Sequence, residues 1–212
     1  MFNRDAPPGF RGFDPEGEVQ FYLRHLPHWR QDGATYFVTF RLADSLPQSK
    51  LRELRLLREQ WHRQHPPPVS KSALEDFAKK QLTKVERWLD QGMGSCGRRD
   101  ERAQSIVADS MTHFNDDLYQ LGCFVVMPNH VHCVVKPLAP KDHGLEDILH
   151  SWKRYTAREI NQLLGNTGTL WQDESFDRIV RDEEHLYRVI GYIGRNPIKA
   201  GLSPEQYRLW IC

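Results

Sequence analysis

The run FVVMPNHVHCVV at 124–135 constrains the fold more than any other stretch of this chain. It holds two apolar, β-branched segments with Pro128 and Asn129 as the turn between them. The expected strands are 119–127 and 132–136. Successive side chains of a strand point to opposite faces, so His130 and His132 on one extended run share a face and Val131 packs into the other. Two imidazoles about 7 Å apart along a strand face can converge on one divalent metal. Taken alone, the pair fits a solvated strand face equally well. Central strands, however, rarely spend two positions on histidine without partners for the ring nitrogens.

The remaining elements follow from periodicity. Residues 34–42 form a β-rich strand preceded by Gly33. A charged helix over 48–65 carries Leu51, Leu54, Leu57 and Trp61 and stops at Pro66. Ser70 can cap a second helix to about 90, a loop covers 92–102, and a helix runs over 102–116. A helix over 144–164, with Asp142 as the expected cap and Gly165 as the stop, follows the strand pair. Residues 169–171 are a short strand candidate. Acids at 182–184 open a last helix, which Asn196-Pro197 is expected to interrupt.

This order fits an α+β fold, a ferredoxin-like (RRM-like) antiparallel sheet with helices on one face and a helical insertion after the first strand. The expected layout is an N-terminal arm over 1–30, one catalytic domain over 31–202 with the insertion at 48–101, and a tail over 203–212. The arm, with Phe10, Phe13, Phe21, Tyr22 and Trp29, is expected to pack on the domain surface.

Bulk properties narrow the function. A net charge of +1 argues against a whole-surface nucleic-acid binder, so any such site must be a local patch. The four cysteines form no CxxC, and Cys123 and Cys133 sit in apolar strands as small core residues, which points to a reducing compartment. No apolar run is long enough for a membrane span, and residues 1–17 hold no apolar signal core.

On a helical wheel, Leu145, Ile148, Leu149, Trp152, Thr156, Ile160 and Leu163 form one stripe. Glu159 falls at its edge and Tyr155 sits beside it, one turn earlier. A carboxylate on that edge is costly unless paired, and either a metal on His130 and His132 or a basic side chain could be its partner. Two histidines and a carboxylate leave open positions on Mg²⁺ or Mn²⁺, which can polarise a phosphodiester, and a tyrosine can attack as covalent nucleophile. Tyr119, Tyr187, Tyr192 and Tyr207 lack a carboxylate so placed.

The segments FVVMPNHVH, SWKRYTAREINQLLG, LWQDESFDRIVRDEEHL and YIGRNPIKAGL, with HLPHWRQDGATYFVTFRLADSLP upstream, resemble the IS200-like tyrosine transposases, and more closely the REP-associated, single-tyrosine HUH branch. The resemblance covers about 24–202. It implies a ferredoxin-like domain whose histidine pair binds Mg²⁺ or Mn²⁺ and whose helix tyrosine nicks and rejoins single-stranded DNA next to a hairpin through a 5′-phosphotyrosine. Carried over, His130 and His132 are metal ligands and Tyr155 is the nucleophile. A polar side chain one helical turn after the tyrosine completes the family's metal site, a position matched here to Glu159. The implied partner is a REP-like DNA hairpin and the implied location is cytoplasmic, at the nucleoid, as monomer or homodimer.

Candidate DNA contacts are Lys153, Arg154 and Arg158 near that tyrosine, Arg178 and Arg181 downstream, and Phe176 as a stacking surface for unpaired bases. Arg188, Arg195 and Lys199 add to the charge of the last third. The competing readings are a non-catalytic hairpin-binding module on the same scaffold and a metal-dependent hydrolase of another class. The hydrolase would need further Asp or His ligands, of which the chain offers no clear set.

Overall fold

The computed structural model describes residues 9–92 and 100–211. The elements are β1 (Gln20–Leu23), β2 (Pro27–Arg30), β3 (Tyr36–Arg41), α1 (Gln48–Gln64), α2 (Lys71–Leu89), α3 (Glu101–Thr112), β4 (Tyr119–Val126), β5 (His130–Pro137), α4 (Leu145–Leu164), β6 (Phe176–Ile179), α5 (Glu183–Lys199) and β7 (Arg208–Ile211). The main sheet is antiparallel, in the order β6-β3-β5-β4-β7. Its core, β3-α3-β4-β5-α4-β6, has the connectivity and strand order of a ferredoxin-like fold. Most of the expected loop at 92–102, with Cys96 and Cys212, lies outside the described residues.

The two faces of the sheet bury different helices. Val38, Phe40, Val131, Cys133 and Val135 pack against Ala103, Val107 and Met111 of α3 and Ile148, Trp152 and Ile160 of α4. Phe37, Cys123, Val125 and Val134 pack against Leu186, Val189 and Ile193 of α5. The α+β class is as expected and the two core helices share one face, but helices cover both faces. The physical reason lies in β4, whose side chains are apolar on both sides, joined on the α5 side by Phe37 and Val134, so that the sheet needs two covers. At Gly122 the β4–β5 register shifts, so Leu121 faces α3 and α4 whereas Cys123 faces α5. A Cβ at Gly122 would press to 3.0 Å from Val134 Cγ1.

Several local expectations differ. Gly144, rather than Asp142, caps α4, and its N–H donates to Asp147 Oδ2 at 3.0 Å. Pro197 does not interrupt α5, which runs to Lys199: the proline gives up its own bond to the Ile193 carbonyl, and the ladder resumes with Ala200 N donating to Asn196 O at 3.0 Å. The strand expected at 169–171 reduces to a single bridge between Trp171 and Leu42, and the strand partner of β3 is Phe176–Ile179. The arm holds the β1–β2 hairpin, and residues of the expected tail form β7 on the edge of β4. Among the described residues no helix is long and apolar enough to cross a membrane.

Helices α1 and α2 form a hairpin around Leu54, Trp88 and Leu89, which also buries Leu46. Ser70 caps α2 by accepting from Ala73 N at 3.2 Å. The end of α2 reaches the α5 side of the sheet. Asn129 Nδ2 donates to the Leu89 carbonyl at 3.1 Å, and Lys199 Nζ meets Asp90 Oδ2 at 2.5 Å.

Candidate active site

The Pro128-Asn129 turn is closed by Met127 N donating to His130 O at 2.8 Å, which starts β5 at His130. Alternation then sends His130 and His132 to the α5 face with Val134. Both histidines are fully buried.

Their tautomers can be read from their partners. Asn129 Nδ2 is committed to the Leu89 carbonyl, so Asn129 Oδ1 is the atom 2.7 Å from His130 Nδ1. An amide oxygen only accepts, so His130 carries its proton on Nδ1 and presents a lone pair on Nε2. His132 Nδ1 lies 2.7 Å from the Thr39 hydroxyl, which can donate or accept. The two Nε2 atoms face each other at 2.9 Å. Without a cation, His132 Nε2–H must donate to His130. With its proton moved to Nδ1 and given to Thr39, both lone pairs point into one spot. Burial, with Lys199 nearby, pushes the His132 imidazolium down to about 3, so the ring is neutral and able to ligate.

Helix α5 supplies the other side of this spot. Its apolar stripe of Leu186, Val189 and Ile193 docks on the sheet and turns Tyr192 and Asn196, one turn apart, toward the histidines. The Tyr192 hydroxyl is 3.4 Å and Asn196 Nδ2 is 3.3 Å from His132 Nε2. Phe37 stacks on the His132 ring, with centroids 5.7 Å apart, and meets Tyr192 edge-on. Asn196 Oδ1 is buried without a hydrogen-bond partner.

The donor set fits a small octahedral cation. Two ligands each about 2.1 Å from such an ion, at right angles, stand about 3 Å apart, close to the observed separation of the imidazoles. The orphaned amide oxygen of Asn196 is an available third donor. Among the described residues no cluster of three His, Cys, Asp or Glu side chains that could hold a metal exists.

Tyr155 and Glu159 do not belong to this arrangement. Helix α4 covers the other face of the sheet, against Val131 and Cys133. Tyr155 is 46 % exposed, with Arg158 over its ring at 5.6 Å, and Glu159 pairs with Arg158 at 2.7 Å. The structure therefore does not bring the expected Tyr155 and Glu159 to the histidines, and the side chains that stand there are Tyr192 and Asn196. The pattern of a tyrosine followed one turn later by a polar side chain occurs on both helices, and only packing decides which of them meets the histidines. The apolar stripe of α5, with Tyr192 and Asn196 on its flank, was the available signal.

The DNA-contact candidates divide in the same way. Lys153, Arg154 and Arg158 ride on α4, on the far side of the sheet. Lys153 Nζ donates to the carbonyls of Gln172 and Asp173, and burial lowers its ammonium to about 8. Arg181 is exposed at the start of α5, and its N–H donates to His185 Nδ1. Arg178 and Phe176 do face the α5 side, where the Arg178 guanidinium stands over the Phe37 ring.

One acid was missed entirely. Glu86 of α2 accepts a hydrogen bond from the Tyr192 hydroxyl. Burial pushes its carboxyl up to about 7, against the pull of that hydrogen bond and of Arg178. Tyr192 in turn is held far above the ordinary phenol range by burial and by the charges of Glu86 and Asp90.

Residues 96–196 match the family model described as "Transposase IS200 like". No curated protein matches the chain. A solved structure of a REP-associated tyrosine transposase bound to a REP hairpin aligns at 17 % identity over 86 % of this chain and 74 % of that one, with a TM-score of 0.38. The matched stretch carries both histidines, Tyr192 and Asn196, so this part of the chain is similar to the IS200-like transposases.

Proposed function

We propose that this chain is a metal-dependent endonuclease and strand transferase of single-stranded DNA, acting beside hairpins, with Tyr192 as its nucleophile. The observation that carries the reading is the convergence of the Tyr192 hydroxyl, two imidazole Nε2 atoms and the Asn196 amide, whose oxygen is unpartnered, at one buried spot. The single-stranded, hairpin-bearing substrate follows from the family resemblance.

His130, His132 and Asn196 would hold Mg²⁺ or Mn²⁺. When bound there, the ion polarises a phosphodiester and stabilises a neighbouring phenolate. The protein's own groups do the rest. Asn129 and Thr39 fix the imidazoles, as outer partners of ligating histidines do. Phe37 restrains the Tyr192 ring and Glu86 orients its hydroxyl, whose proton it can accept. The Tyr192 oxygen attacks phosphorus, the P–O3′ bond breaks, and the O3′ leaves with the bonding pair and takes a proton from water. The products are a 5′-phosphotyrosine and a free 3′-hydroxyl. Attack by another 3′-hydroxyl reverses the step and returns the proton to Tyr192, so the strand is rejoined without an external energy source.

The test is incubation with a labelled hairpin-bearing single strand and Mn²⁺, followed by denaturing electrophoresis. Wild type and Tyr155→Phe should form a covalent adduct, and Tyr192→Phe should form none. An adduct that persists in Tyr192→Phe moves the nucleophile elsewhere. No adduct with any hairpin from the neighbouring genome leaves the non-catalytic hairpin-binding module.

A further inference from the structure

Helices α1 and α2 do more than cover the sheet edge. Between them and the α5 face of β3 and β6 lies a cleft of about 380 Å³. It opens beside Thr39, the residue that holds His132. Arg41 of β3 and Arg55 and Arg58 of α1 line it, with Gln81 of α2. On β3, Arg41 follows Thr39 on the same face and sits opposite His130 in the register.

The charge in this cleft is not neutralised from within. Arg41 Nη1 donates to the neutral Ser45 hydroxyl at 2.8 Å, and Arg58 Nε donates to the neutral Gln81 Oε1 at 3.3 Å. None of the three guanidiniums forms an ion pair among the described residues. Glu174 also lines the cleft and attracts Arg58 from a distance, forming no ion pair with it, and its Oε1 is bound to His28 and to the backbone N–H groups of His25 and Leu26. Burial, together with the facing charge of Arg58, lowers the Arg41 guanidinium to about 10. Two half-buried cations lining one cleft are unfavourable unless an anion joins them. Independently, Gln81 Nε2 is a buried donor without a partner, on a side chain only 5 % exposed. The cleft thus offers guanidinium forks and a spare amide donor, the groups that bind phosphate oxygens.

We propose that this cleft is a phosphodiester subsite that grips the backbone of the single strand next to the bond presented to Tyr192, so that the α1–α2 insertion acts as a substrate clamp. Phe176, half-buried on the same wall, gives a base at that position an aromatic face. The assignment rests on the reading of the chain as a single-strand DNA enzyme, and the experiment separates the two.

Binding of a fluorescent oligothymidylate is measured by anisotropy across a salt series, in the Tyr192→Phe background and without metal, so no cleavage chemistry enters. Arg55→Gln/Arg58→Gln should bind roughly ten-fold more weakly, and its slope of log K against log salt should become shallower by about 1.4, at about 0.7 per phosphate contact. Arg55→Gln alone, at an exposed position that cannot unfold the core, should lower the slope by about 0.7. Unchanged affinity and slope in both variants, or a parent that binds no oligothymidylate, overturns the subsite. A thermal shift with inorganic phosphate at matched ionic strength as large as with oligothymidylate would make this a free-anion site and overturn the strand assignment. The nuclease reading is judged separately, by adduct formation in the wild type.

Discussion

Asn129 joins the end of α2 to the histidine strand: its amide donates to the Leu89 carbonyl at 3.1 Å while its oxygen receives the His130 Nδ1 proton at 2.7 Å. One side chain thereby sets the His130 tautomer and anchors the insertion. Asn129→Ala should weaken Mn²⁺ binding by about 10–100-fold, the usual cost of losing an outer partner of a ligating histidine. Titration calorimetry on the folded variant checks this, and an unchanged affinity would remove Asn129 from the site.

Metal affinity also separates the two candidate third ligands. Asn196→Ala removes the amide beside His132 together with its orphaned oxygen, so Mn²⁺ binding should drop at least ten-fold. Asn196→Asp adds a charge and should retain or tighten it. Glu159→Ala, on the far face of the sheet and paired with Arg158, should leave it unchanged. Equal losses in Asn196→Ala and Glu159→Ala would contradict the packing described here.

Glu86 predicts a pH dependence. Its carboxyl is raised from 4.5 to about 7, so it is largely protonated below that value and ionised above it. Only the carboxylate can accept the Tyr192 proton, so the rate of adduct formation should rise as pH increases through about 7. Glu86→Gln keeps a hydrogen-bonding side chain and should flatten that limb while slowing the reaction at high pH. A general-base contribution is typically worth about 10²–10⁴-fold, which bounds the expected loss. A variant profile with the same limb would assign it to another group.

His28 should make folding stability depend on pH. Burial alone would lower its pKa, but Asp177 Oδ1 at 2.6 Å and Glu174 Oε1 at 3.1 Å raise it from 6.5 to about 9. The folded state therefore holds this proton more tightly than the unfolded state does. The stabilisation is fully present below about pH 6.5 and is lost as pH rises through 9. At about 1.4 kcal/mol per unit, the upper bound is about 3 kcal/mol. Denaturant melts of wild type and His28→Gln across pH 6–10 should converge at the alkaline end, and a constant gap would refute the assignment.

Much of the architecture is legible in the residues. Leu145, Ile148, Leu149, Trp152, Thr156 and Ile160, the stripe expected of the fourth helix, are its buried face. Ser70 and Asp182 cap where hydroxyl and carboxylate N-caps should. Gly165 ends α4 in a left-handed conformation with φ of 64°. Strand β6 was not legible. Phe176–Ile179 alternates between faces too briefly to stand out, and it is a strand because β3 offers it a free edge. Likewise Glu86 reads as one more charge on a charged helix, and its role exists only where the end of α2 meets Tyr192.

Local sequence determined that His130 and His132 would share a face, because strand alternation is a property of the backbone, and that two amphipathic helices would each carry a tyrosine followed one turn later by a polar side chain. It could not determine which helix lies over which face of the sheet. Both faces of the sheet are apolar enough to take a helix, so the choice is made by long-range packing. The stripe of α4 closes on Val131 and Cys133, and that of α5 closes on Phe37 and Val134. That choice brings Tyr192, Asn196 and, through the insertion, Glu86 to the imidazoles, and it leaves Tyr155 in solvent.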